Sequence, residues 1–169
     1  MSRIIIKPAY PELQKGGYFN LLAIDDMAKV FFNTENEIKL EQDMQNLWRQ
    51  NGNRFSYNNT MIAFVNGQPA GAISCLPYDT LESQTLATVE QIVKIQKLQI
   101  VPQFINNFKA IVALINLDEG SSEEYHVSML ATLSQFRGMG IAKKLLTYAE
   151  QLALHKGYDI TSLTVEINN

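Results

Sequence analysis

The sequence is poor in the residues that staple, ligate or span. One of 169 residues is a cysteine, Cys75. No disulfide can therefore close within the chain, and a cysteine-rich zinc site is excluded. A lone Cys75 inside an apolar run reads as a small buried hydrophobe rather than a nucleophile. Positive charge is not in surplus either: 14 Lys and Arg against 17 Asp and Glu leave a net charge of −3. Nucleic-acid binding in general needs a basic face, so this balance argues against it. No stretch approaches the ~20 consecutive apolar residues of a membrane span, and the apolar run Ile4-Ile5-Ile6 is too short for a signal peptide. The expectation is a soluble cytoplasmic protein that engages neither membrane nor nucleic acid.

What is present is an ordinary globular balance, with 46% apolar and 18% charged residues. The length fits one domain over residues 1–169, enough to bury a core without staples. Ile4 to Lys7 reads as a short strand closed by Pro8 and Pro11. Gly16-Gly17 reads as a loop, followed by a helical spacing from Leu21 to Asn33 at Leu22, Met27, Val30 and Phe31. A second helix is expected from Asn36 to Arg49, with Ile38, Leu40, Met44, Leu47 and Trp48 on one broad apolar face. Trp48 reads as core. Thr60–Val65 and Gln68–Leu76 flank Asn66-Gly67, the strongest hairpin signal in the chain, because both turn residues tolerate positive φ. Leu81 to about Leu98 is helical in pattern. Phe104 to Leu117 fits a strand or a helix, and Asp118 to Glu123 is an acidic loop. Glu124 to Leu133 reads as a strand, Ile141 to Lys156 as an amphipathic helix capped by Gly157, and Ile160 to Ile167 as a last strand.

Chemistry concentrates between Leu130 and Ala142. A strand ends, a turn containing Gly138 and Gly140 follows, and a long helix begins. The first turn of a helix carries N–H groups without intrahelical partners and the positive end of the dipole. That makes an anion site, and glycines let a bulky diphosphate approach the backbone. Rossmann and P-loop proteins exploit the same physics. Here, however, the third Rossmann glycine is missing, and no Gly-Lys-Ser/Thr stands at P-loop spacing.

Arg137-Gly138-Met139-Gly140-Ile141-Ala142 fits the pattern Arg/Gln-x-x-Gly-x-Gly/Ala, and so does a second register beginning at Gln135. This resembles the acetyl-CoA signature of the GNAT acetyltransferase superfamily, and the flanking residues favour the first register. Leu130-Ala131-Thr132 resembles the family's preceding strand, and the Thr60–Leu76 hairpin resembles its second and third strands. The resemblance implies an α/β fold, a GNAT-like central mixed β-sheet flanked by helices. It implies an acetyl-CoA-dependent N-acetyltransferase in which a primary amine of a small molecule or peptide attacks the thioester directly, without a metal. Acetyl-CoA would be held by Arg137, Gly138, Met139, Gly140, Ile141 and Ala142 at the diphosphate. Leu130, Ala131 and Thr132 would lie along the pantetheine arm, and Asn168 is carried over with them.

Strand parity places Glu124, His126 and Ser128 on one face, and His126 or Glu124 is the candidate base. The acids Asp118, Glu119, Glu123 and Glu124 read first as a solvated loop, and second as an attraction for a cationic amine. The chain ends at Asn169, short of the helix and two strands, with their tyrosine acid, that usually follow in the family. Three readings stay open: a truncated chain, a sheet completed by a second copy through the edge of the last strand, or a non-catalytic acyl-CoA-binding module. An apolar strand edge is normally covered, so a homodimer through that edge is expected.

Overall fold

A computed structural model describes residues 3–96 and 121–163, except the side chain of Glu82. Five strands form one sheet in the order β1 (Ile4–Pro8), β2 (Thr60–Val65), β3 (Gln68–Pro77), β4 (Glu124–Thr132) and β5 (Ile160–Leu163). The first four run antiparallel to their neighbours, and β4 and β5 pair in parallel. The expected mixed sheet is present. The hairpin closes as its sequence requires, with Asn66 and Gly67 at φ of 51° and 81°.

Helices cover both faces. On one lies α5 (Ile141–His155), whose Ile141, Leu145, Ala149 and Ala153 are buried against Ala63, Ile73, Tyr125 and Val127. Their spacing of four residues is the stripe read from the sequence. On the other face lie α1 (Gly16–Ile24), α2 (Met27–Phe32), α3 (Glu37–Trp48) and α4 (Tyr78–Ile95). Helix α3 starts at an N-cap: the Asn36 side chain accepts from the Lys39 N–H at 3.0 Å. Trp48 is fully buried, and its indole N–H donates to the Tyr10 carbonyl.

Several expectations need correction. Gly16 and Gly17 are not a loop; they open α1. A Cβ on Gly16 would stand 2.2 Å from the Trp48 ring, and one on Gly17 would stand 2.8 Å from the backbone of Met44 and Gln45. Their glycines permit α1 to lie directly against α3. The helix expected over Leu21–Asn33 is two helices, broken where Asp25 takes a φ of 44°. Ile24, Ala28 and Phe32 still share one buried cluster across the break. Ile38, Leu22 and Val30, assigned to apolar faces, are exposed, as is Leu86 of α4. Helix α4 begins at Tyr78, immediately after β3, rather than at Leu81. Leu98 and the segment Phe104 to Leu117 lie outside the described residues, as do Asp118 and Glu119.

Candidate active site

Strand β4 carries most of the candidate residues, and its register with β3 contains an irregularity. Ser74 opposes Met129, whereas the next residue, Cys75, opposes Val127, so Ser128 is an extra residue in β4. This is a β-bulge, which reverses the phase of side-chain alternation. Tyr125 and Val127 pack on the α5 side. After the bulge Leu130 joins that side, while Met129 and Ala131 turn to the face covered by α1–α4. Uninterrupted alternation from His126 would have put Leu130 on the opposite face.

At the end of β4 the chain passes through a short 3-10 turn (Ser134–Phe136) into the glycine turn and α5. Gly138 and Gly140 stand at φ of 79° and 75°, and Gly140 is the N-cap of α5. Both are exposed, and a Cβ at either would meet no atom within 4 Å. Two of the local N–H groups are used internally: Arg137 donates to Ser134 and Met139 to Phe136. Among the described residues, no carbonyl takes up the N–H of Gly138, Gly140, Ile141, Ala142 or Lys143. Arg137, Lys143 and Lys144 are exposed around this turn, and no acidic residue occupies the first turn of α5. Open donors, open space and three cations with no carboxylate in the same turn form a cradle that fits a diphosphate. Helical periodicity alone assigns Lys143 and Lys144 to the polar face of the helix. Their place in its first turn is the signal that marks them as part of the cradle.

Beside the turn, the Thr132 hydroxyl is buried with no hydrogen-bond partner among the described residues. On the other edge of β4, the described pairing with β5 runs from Glu124 opposite Ile160 to Val127 opposite Leu163, while β4 continues to Thr132. Asn168 lies outside the described residues.

The candidate bases sit at the start of β4. His126 is 2% exposed, beneath the edge of the Tyr78 ring at 6.4 Å, with Nδ1 3.0 Å from the Ser162 hydroxyl. Glu124 accepts from the Ser121 hydroxyl at 3.0 Å. Its carboxyl is held below the ordinary range, chiefly by the Ser162 hydroxyl, then by Ser121, with a smaller effect of His126. Ser128 accepts from the Arg54 guanidinium at 3.2 Å. Glu124, His126 and Ser128 thus share the face that parity predicts. Ser162, Tyr78 and Arg54 were missed, because their proximity depends on strand pairing and helix docking across the chain; Ser121, three residues before Glu124, was missed because only the local turn brings its hydroxyl to the carboxylate. Cys75 is buried, and burial pushes its thiol up to about 11, so it stays a neutral apolar group.

No helix among the described residues is long and apolar enough to cross a membrane. No curated protein matches the chain. Among solved structures, an acetyltransferase superposes with a TM-score of 0.71 at 19% identity, covering 98% of this chain and 82% of that one. An N-acetyltransferase from Staphylococcus aureus Mu50 gives 0.59 at 22% identity, covering 98% and 83%. An aminoglycoside N-acetyltransferase in complex with CoA gives 0.50 at 12% identity, covering 100% and 81%. At these identities the likeness establishes the fold. The model of the GNAT acetyltransferase family matches residues 21–169, nearly the whole sequence, and the chain belongs to that family.

Proposed function

We propose that this chain binds acetyl-CoA at the Gly138–Gly140 turn and transfers its acetyl group to a primary amine of a small molecule or peptide. The observation that carries the reading is the cradle at the head of α5, where five N–H groups lack an acceptor among the described residues, beside Arg137, Lys143 and Lys144. In this reading Gly138, Gly140, Ile141 and Ala142 hold the diphosphate through their N–H groups, with Arg137 and Met139 shaping the turn. Leu130, Ala131 and Thr132 line the pantetheine arm, and Asn168 contributes to the same coenzyme. The coenzyme supplies an activated thioester. The chain's task is then to orient the amine, remove its proton and stabilise the developing oxyanion. His126 is the better base, acting directly or through water. Glu124, with its carboxyl held low, binds a proton too weakly to compete near neutral pH.

Isothermal titration with acetyl-CoA tests the reading, with the Arg137→Ala, Gly140→Glu double variant as control. Saturable binding that the variant loses supports it. A folded wild type that takes up no acetyl-CoA defeats it. The second reading, an acyl-CoA-binding module without efficient transfer, is favoured by the burial of His126. Coenzyme binding with no turnover across a broad amine panel would select it. Self-association through β5 belongs to the same proposal, supported by the exposure of Ile160 and Leu163 at that edge. A monomer by light scattering at micromolar concentration counts against it.

A further inference from the structure

With the diphosphate at the Gly138–Gly140 turn, the coenzyme arm runs back past Thr132, Ala131 and Leu130. Its thioester end then falls further back along β4, level with Ser128, the extra residue of the bulge. Bulges recur beside reacting groups because they re-aim a strand. The Ser128 hydroxyl accepts from the Arg54 guanidinium at 3.2 Å. A positive charge therefore stands at the level of β4 where the acyl group would lie.

Arg54 belongs to the loop between α3 and β2, yet three helices fix the backbone around it. Its own N–H donates to the Thr88 hydroxyl of α4 at 3.0 Å. On one side Asn53 is fully buried, and its amide donates to the Leu47 carbonyl of α3 at 3.0 Å and to the Gln91 side chain of α4 at 2.7 Å. On the other side the Phe55 carbonyl accepts from buried Asn20 of α1 at 2.8 Å, and the Phe55 N–H donates to Asn53 Oδ1 at 2.8 Å. A loop held in this way delivers the Arg54 side chain with little freedom, as a preorganised site requires. A guanidinium does not lose its proton in a protein, so the charge persists whatever else it bonds.

We propose that the charge of Arg54 stabilises the oxyanion of acetyl transfer, with Ser128 as the positioning residue that aims it. The inference rests on the acetyl-CoA reading and gives a residue to a task that reading leaves unassigned. The amine nitrogen bonds to the thioester carbon, and the C=O electron pair moves onto oxygen, where the cation offsets its charge. The pair returns as the C–S bond breaks. The nitrogen gives up one proton to the base, and the departing thiolate gains one to leave as CoA.

The test needs no acceptor amine. Acetyl-CoA labelled with 13C at the thioester carbonyl is bound to the protein, and its carbonyl resonance is compared with that of the free thioester. A nearby cation polarises the C=O bond, so the wild type should move the signal downfield. Arg54→Met removes the charge at similar length and should abolish that shift while binding acetyl-CoA with wild-type affinity. Arg54→Lys should keep part of the shift, and Ser128→Ala, which leaves the charge unaimed, should reduce it. With an amine that the wild type acetylates, Arg54→Met should lower kcat roughly 100-fold, the scale of one lost oxyanion-stabilising group, at unchanged KM for acetyl-CoA. A purely structural Arg54 would lower Tm and leave the carbonyl signal in place. An unshifted carbonyl in the wild type, an unchanged shift in Arg54→Met, or a lost shift with undiminished kcat overturns the proposal. A wild type that binds no acetyl-CoA fails earlier, at the titration, and defeats the acetyltransferase reading along with this one.

Discussion

Gly138, Gly140 and Gly157 make a matched set, because all three hold a positive φ, at 79°, 75° and 87°. At none of them would a Cβ meet an atom within 4 Å. Alanine in this conformation is strained by about 1–2 kcal/mol, partly offset by the smaller entropy of the unfolded chain. Each Gly→Ala variant should therefore lose about 1 kcal/mol, which at this size lowers Tm by roughly 2–4 °C. Coenzyme affinity should separate them. Gly138 and Gly140 lie in the cradle, where a methyl group would hold a diphosphate away from N–H donors. A lost hydrogen bond to a charged group is worth about 1.5–3 kcal/mol, so acetyl-CoA affinity should fall roughly 10- to 100-fold. Gly157 caps the far end of α5, so its variant should bind acetyl-CoA like the wild type. The assay pairs thermal denaturation without ligand with isothermal titration. Equal losses of affinity in all three variants would show that binding merely follows stability. Wild-type affinity in Gly138→Ala and Gly140→Ala would show that the coenzyme does not use this turn.

Arg137→Ala should weaken acetyl-CoA binding by about tenfold, and the loss should shrink in high salt, as titrations at two ionic strengths would show. Gly17→Ala should destabilise the protein although alanine favours helix by up to about 1 kcal/mol. A Cβ 2.8 Å from the α3 backbone forces α1 and α3 apart, and overpacking of this kind costs about 1–3 kcal/mol. Urea unfolding should show a lowered midpoint at unchanged slope. Alkaline pH should also weaken the fold. The Cys75 thiol holds its proton to about 11 in the folded chain and to about 8.5 when unfolded. Between these values the unfolded state binds fewer protons, so stability falls as pH rises, and a Cys75→Ala variant should lack this part of the decline. Burial, and then Cys75, also raises the Tyr125 hydroxyl, which adds a loss of the same sign at still higher pH.

Features encoded by neighbouring residues were legible in the sequence. Asn66-Gly67 specifies its own turn, Asn36 caps its own helix, and the stripe Ile141, Leu145, Ala149 and Ala153 defines α5 without reference to anything else. The cradle was legible for the same reason, since its glycines and its donors are adjacent in the chain. Features that depend on a distant partner were not. Gly16 and Gly17 look like a flexible pair until Trp48 and the α3 backbone press against them. The break at Asp25 leaves the apolar pattern almost intact, so periodicity conceals it. The contact between His126 and Ser162 joins residues 36 apart and exists only because β4 and β5 pair in one register. Parity foresaw the common face of Glu124, His126 and Ser128, but not that Leu130 would leave it.

The bulge at Ser128 gives β4 a place where its length can change by one residue. Removing Ser128 itself would let Ser74 and Cys75 face consecutive residues, Met129 and Val127, and would restore plain alternation. Leu130 would stay on the α5 side, and Met129 and Ala131 would stay on the other, so the glycine turn would still start in step with α5. A single deletion elsewhere in β4 that kept the bulge would instead turn the side chains beyond it to the wrong side of the sheet. The extra residue is thus a slack link between the histidine and the turn, and changes of length by one should gather at this point of the strand.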